Sequence, residues 1–281
     1  MGSDEHNINE GDEWSFPGTR GSIAARRWSG ATKPRYVAVL AHGYGEHIGR
    51  YEHVAAALLT HGAVVFGLDH MGHGKSEGER VLIEDFEDVV ADLHSLAETA
   101  HKQWPQLPVV LIGHSMGGLI AARYAQLHGQ MLTALILSGP VIGELAFVGQ
   151  LLALDEIPDV PLDISTLSRD ESVGAKYKAD PYVWHGPFKR PTLEAIQATL
   201  DAIAADGSVG ELPVLWLHGA EDQLVPIEGS RIGVHGLRGP TFSLHEYPGA
   251  RHEIFNETNS DEVLSDMVNF IDQVLKPQLN L

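Results

Sequence analysis

The chain has no cysteine. That excludes a disulfide framework, a thiolate metal site and a cysteine nucleophile, and it fits a reducing compartment. It also lacks any apolar run near the roughly 20 residues that a membrane-spanning helix needs. Basic residues are scarce: 19 Lys and Arg stand against 38 Asp and Glu, a formal net charge of −19. Such an excess of negative charge argues against a nucleic-acid partner and against overall attraction to anionic lipid. A neutral small molecule is the default substrate. Residues 1–13 are polar and acidic, with no apolar stretch for a signal peptide, and read as a disordered tail. A soluble, cytoplasmic protein is expected. With 281 residues and 43% hydrophobic content, the chain can build one large α/β domain with an insertion.

Strand and helix patterns alternate through the first half. Trp14 to Phe16 and Ile23 to Trp28 read as short strands around a Pro17-Gly18 turn. Tyr36 to Ala41, Ala63 to Leu68, Val109 to Ile112 and Ala134 to Leu137 are apolar runs of buried-strand length. Between them lie helical patterns over Arg50 to His61, Phe86 to Trp104 and Gly118 to His128. This order predicts a mostly parallel, doubly wound sheet with helices on both faces. The pattern lapses from Val141 to about Ser208, where Pro and Asp abound and only short helical pieces are expected. It resumes with strands Val214 to His218 and Phe242 to Tyr247 and a closing helix, Asp261 to Leu275. The expected organisation is a core of residues 14–140 and 209–281, with 141–208 inserted as a helical cap over the strand ends, where sites of such sheets lie.

One stretch carries the chemistry. Gly113-His114-Ser115-Met116-Gly117 lies between a buried strand and a helix, which is the context of a nucleophile elbow. The turn lifts the Ser115 hydroxyl clear of the sheet, and the two glycines let strand and helix pass closely. A serine needs a base, and the base needs an acid to hold its tautomer. In this fold both follow the serine, at the ends of late strands. Asp222 follows Val214 to His218, and His252 follows Phe242 to Tyr247, so they are the expected acid and base. Glu221 is the competing acid; His245, inside its strand, reads as structural. The oxyanion donors are expected to be the backbone N–H groups of Met116 and Tyr44, the latter in the loop after the third strand. Gly74-Lys75-Ser76 imitates a phosphate loop, but Asp69 stands where its first glycine belongs. No metal ligand set and no cofactor are expected.

The segments His42-Gly43-x-Gly45-Glu46-His47-x-Gly49-Arg50-Tyr51 and Asp69-His70-x-Gly72-His73-Gly74-x-Ser76-Glu77-Gly78, together with the elbow, resemble the monoacylglycerol lipases of the α/β-hydrolase fold. Leu167-Ser168-Arg169 and Tyr177-x-x-Asp180-Pro181 resemble pieces of that family's cap. The resemblance runs from about residue 14 to the end of the chain. It implies a serine ester hydrolase that cleaves monoacylglycerols to fatty acid and glycerol through an acyl-enzyme. The alternatives are a lysophospholipase, a general carboxylesterase or a non-catalytic binding protein. Glu46, Arg50 and Tyr177 become candidates for binding the alcohol side of the substrate, and His114 is a further candidate for substrate binding; a competing reading makes Glu46 and Arg50 an ion pair that holds their own loop. The apolar stretch Leu145 to Leu154 has two readings: a helix packed on the core, or a wall for the acyl chain whose outer face makes transient contact with lipid surfaces, which would make the protein peripheral to membranes.

Overall fold

A computed structural model describes residues 12–30, 33–160 and 162–276. Its frame is one eight-stranded sheet made of β1 (Asp12–Gly18), β2 (Gly21–Trp28), β3 (Tyr36–Ala41), β4 (Ala63–Leu68), β5 (Val109–His114), β6 (Ala134–Ser138), β7 (Val214–Gly219) and β8 (Phe242–Tyr247). The order across the sheet is β1-β2-β4-β3-β5-β6-β7-β8. β1 and β2 are antiparallel to their neighbours; every pairing from β4 to β8 is parallel. β1 begins at Asp12, so Asp12 and Glu13, expected in a tail, pair with Arg27 and Arg26 in the sheet. The rest of the expected tail lies outside the described residues.

The central strands are apolar throughout because both faces of the sheet are covered. Val37, Val39 and Ala41 of β3 join one core cluster, and Tyr36, Ala38 and Leu40 join the other. The same period-2 division holds in β5, where Val109 and Leu111 face one side and Val110 and Ile112 the other. Helices α1 (Glu52–Thr60) and α8 (Ser260–Leu275) cover the second face through Val54, Leu58, Val263, Met267 and Ile271. Helices α2 (Phe86–Gln103), α3 (Met116–His128), α6 (Arg190–Asp206) and α7 (Ile227–Leu237) supply the first.

The insertion divides in a way its composition did not suggest. It contains α4 (Ala146–Leu152), α5 (Glu171–Ala179) and the 17-residue α6. Far from a short piece, α6 buries Leu193, Ile196, Leu200 and Ile203, and three of these, Ile196, Leu200 and Ile203, join the main core. Val148 of α4 joins it too. Among the described residues, the small cluster of Leu167, Tyr177 and Val183, around α5, stands apart from the two sheet cores. Among the described residues no helix is long and apolar enough to cross a membrane.

Candidate active site

β5 ends in a sharp turn at Ser115. Ser115 sits at φ 55° and ψ −119°, outside the usual regions for a residue with a side chain. The turn holds because its neighbours leave it no alternative. A Cβ on Gly113 would overlap the Gly117 carbonyl, and one on Gly117 would overlap the Ala41 carbonyl at the end of β3. Ser115 also donates its N–H to the Ser138 carbonyl and accepts from the Val141 N–H, at 3.0 Å each. The elbow is thus tied to β3 and β6 together, and the hydroxyl is aimed away from the strand.

That hydroxyl meets His252. His252 Nε2 lies 2.9 Å from Ser115 Oγ, and its Nδ1 lies 2.7 Å from Asp222 Oδ2. All three residues are buried. Asp222 is held by its own loop, since Oδ1 accepts the N–H groups of Leu224 and Val225, each at 2.9 Å. Glu221, the competing acid, is exposed, and His245 pairs with Asp266 at 3.3 Å on the edge strand. Burial pushes the Asp222 carboxyl up, but the charge of His252 and hydrogen bonds from His218 and His252 outweigh it and hold the group well below the usual carboxylate range. Burial pushes the His252 imidazole down, yet the charge of Asp222 and its hydrogen bond prevail, so the ring is more basic than an ordinary histidine.

The loop after β3 approaches from the other side. A Cβ on Gly43 would come within 3.1 Å of the Ser115 Cβ. His42 Nδ1 lies 2.8 Å from the Gly43 carbonyl, and His42 Nε2 accepts the His70 N–H at 3.0 Å. The carbonyl of Gly43 and the N–H of Tyr44 belong to one planar peptide and point in opposite directions. Holding the carbonyl with His42 therefore turns the Tyr44 N–H the other way. That N–H has no hydrogen-bond partner among the described residues. Met116, the first residue of α3, offers one of the amides that a helix leaves unpaired at its start.

The structure separates the remaining candidates. Glu46 is spent on its own loop, accepting from the Gly43 N–H at 2.7 Å, the Tyr51 hydroxyl at 2.6 Å and Arg50 at 2.5 Å. Arg50 in turn forms a two-pronged pair with Glu253, 2.8 Å on each arm. Both side chains are thus engaged in an ion-pair network that ties their loop to Glu253, the arrangement of the ion-pair reading. His114 Nδ1 lies 3.1 Å from both oxygens of Ser138, and its ring lies 4.9 Å from that of His252. Tyr177 packs against the loop after β3. Its ring receives Arg50 at 5.0 Å, its hydroxyl is 3.8 Å from where a Cβ on Gly45 would stand, and that hydroxyl makes no hydrogen bond among the described residues. In the imitation phosphate loop, Asp69 fills the space with a carboxylate that accepts the Lys75 and Ile48 N–H groups, each at 2.8 Å.

Sequence reasoning missed Glu253 and His218; the partner of Glu253, Arg50, lies 203 residues away and meets it only in the fold. The Arg50 hub gives a first prediction. Arg50→Ala leaves two buried carboxylates, Glu46 and Glu253, each 4% exposed, without their cation. Loss of one partner from a buried ion pair costs about 3–5 kcal/mol. Urea unfolding of Arg50→Ala should show a loss of that order, and a change below about 1 kcal/mol would remove the hub from the account.

Comparison with known proteins places this geometry. Residues 32–259 match the family model described as serine aminopeptidase, S33. A monoacylglycerol lipase of Mycolicibacterium smegmatis is 38% identical, over 92% of this chain and 96% of that protein. A monoglyceride lipase of Rattus norvegicus is 33% identical, over 84% of this chain and 81% of that protein. The crystal structure of a highly thermostable carboxyl esterase from Bacillus coagulans, in complex with glycerol, superposes with a TM-score of 0.80 at 27% identity, covering 94% of this chain and 99% of that one. The chain belongs to the monoacylglycerol lipase family of α/β-hydrolases.

Proposed function

We propose that the protein hydrolyses monoacylglycerols to fatty acid and glycerol, with Ser115 as nucleophile, His252 as general base and acid, and Asp222 as the group that orients it. Ser115 Oγ attacks the ester carbonyl carbon as its proton passes to His252 Nε2. The carbonyl electron pair moves onto oxygen, and the resulting oxyanion is stabilised by the N–H groups of Tyr44 and Met116. Collapse breaks the bond to the glycerol oxygen, which leaves with the proton from His252. Water then attacks the acyl-enzyme along the same path and releases the fatty acid. The observation that carries this reading is the continuous line Ser115–His252–Asp222, with contacts of 2.9 and 2.7 Å.

The test is covalent labelling by a fluorophosphonate, located by mass spectrometry. Label on Ser115, absent from Ser115→Ala and blocked by a monoacylglycerol, is expected. Undiminished labelling of Ser115→Ala would reject Ser115 as nucleophile.

Residues 141–208 act as the cap in this reading, although α6 is packed as a core helix. The acyl chain runs along Phe147, Phe188 and Tyr44, whose rings form a line: Tyr44 stacks on Phe188 at 4.5 Å, and Phe147 follows at 6.4 Å. Leu154, Val160 and Leu162 are exposed on the insertion and make transient contact with lipid surfaces. Tyr177 binds the free hydroxyls of the glycerol moiety. Tyr177→Phe keeps the ring over Arg50 and removes one hydrogen bond, worth about 0.5–1.5 kcal/mol. The KM for a monoacylglycerol should therefore rise about 2- to 10-fold, with little change for a nitrophenyl ester of the same acid. Equal effects on both esters would remove Tyr177 from the alcohol side.

A further inference from the structure

β7 delivers more to the site than the loop that bears Asp222. Its residues Trp216 and His218 are both fully buried. The Trp216 indole N–H donates to His218 Nδ1 at 3.2 Å. On the other edge of the ring, His218 Nε2 lies 2.9 Å from the Val225 carbonyl and 3.3 Å from Asp222 Oδ2. The carboxylate oxygen is the same one that His252 Nδ1 meets at 2.7 Å.

These partners settle the tautomer of His218. An indole N–H can only donate, so Nδ1 must present its lone pair. A carbonyl and a carboxylate can only accept, so Nε2 must carry the hydrogen. Asp222 Oδ1 then accepts two backbone N–H groups, while Oδ2 meets His252 at 2.7 Å and, at 3.3 Å, the longer arm of the His218 Nε2–H that also points at the Val225 carbonyl.

We propose that His218 is a positioning residue for the hydrolytic reaction: its Nε2–H shares the Asp222 oxygen that carries His252, and Trp216 fixes the tautomer that lets it do so. The proposal rests on the triad assigned above. The shared hydrogen bond has two consequences. It stops the carboxylate from rotating away from His252. It also draws charge from Oδ2, so that the imidazolium formed during catalysis is stabilised less than it would be by an unshared carboxylate. His218 thus keeps the base ready to give its proton back to the leaving alcohol. The other titratable groups around His252 are His114 from the end of β5, Glu46 from the loop after β3, and the adjacent Glu253. Both glutamates are paired with Arg50, and none of the three is hydrogen-bonded to Asp222.

The experiment compares wild type, His218→Met and His218→Gln. Methionine fills the space without a donor, whereas the glutamine amide retains one. Two quantities are read: the acid limb of kcat/KM on a soluble ester, and the titration of the His252 ring by NMR. In His218→Met both should move to higher pH by about half a unit to one unit, with kcat reduced several-fold; His218→Gln should stay near wild type. A purely structural role would lower stability or kcat without moving either titration. The proposal is overturned if folded His218→Met titrates like wild type, or if the two variants shift alike. Should His218→Met not fold, Trp216→Phe releases Nδ1 from its donor, and a smaller upward shift of His252 is expected; no shift overturns the proposal equally. Failure of the triad reading is seen separately, as a wild-type enzyme that cleaves no ester, and the NMR titration still reports whether His218 acts through Asp222.

Discussion

Asp222→Asn is expected to lower kcat by about 10⁴-fold, the scale set by a wrong histidine tautomer in a serine hydrolase. The surroundings dictate how the asparagine would sit. The two backbone N–H groups on Oδ1 demand an acceptor, so the amide oxygen takes that place. The amide NH2 then replaces Oδ2 and faces His252. To accept from it, His252 must carry its proton on Nε2, toward Ser115 Oγ, where it can no longer take the serine proton. The same NH2 opposes the His218 Nε2–H, so a loss of stability should accompany the loss of rate. The check is kcat on a soluble ester beside a denaturation curve, with Glu221→Gln as control. Near wild-type kcat in Asp222→Asn with loss in Glu221→Gln would transfer the acid to Glu221.

Ser115→Ala and His252→Ala should each reduce kcat by about 10³-fold or more, and the double variant should be hardly worse than either single one. Non-additivity follows from the geometry. With Ser115 Oγ gone, His252 has no proton to take; with His252 gone, Ser115 has nowhere to send one. The two losses are one event seen from either end of a 2.9 Å hydrogen bond. Residual activity would come from the Tyr44 and Met116 amides and from substrate binding. Multiplicative losses in the double variant would mean that the two residues act in separate steps.

The five central strands β3 to β7 were legible in the sequence because, buried on both faces, they are written as short continuous apolar runs, whereas the turn expected at Pro17-Gly18 falls at Thr19-Arg20 and both residues belong to β1. The elbow was legible for a related reason: the glycines at 113 and 117 answer a close approach that leaves no room for a Cβ. Helix α7 was not, since Gly229, Gly233 and Gly236 interrupt its pattern. Two of these glycines are there because the 143–144 backbone passes against the helix; a Cβ on Gly229 would overlap the Glu144 carbonyl, and one on Gly233 would crowd Gly143. Helix α6 was disguised by Pro191, which reads as a breaker but sits in the first turn, where a helix tolerates it. In the site, the triad could be read from positions at strand ends. The Glu46–Arg50 pair was one of two readings the sequence offered, but its extension to Glu253 and the packing of His114 were not legible, because Arg50 meets Glu253 from 203 residues away and His114 turns to β6 only once the sheet is formed.

The central claim concerns the substrate, and one measurement addresses it directly: initial rates on mono-, di- and triacylglycerols and a lysophospholipid of equal acyl chain length. A buried polar group left unpaired by a substrate without free hydroxyls costs about 1–3 kcal/mol, or several-fold to hundredfold in rate, and exclusion of bulk by the cap adds to it. The account predicts that the monoacylglycerol is cleaved far faster than the triacylglycerol. Comparable rates on the two, or a clear preference for the lysophospholipid, would contradict it.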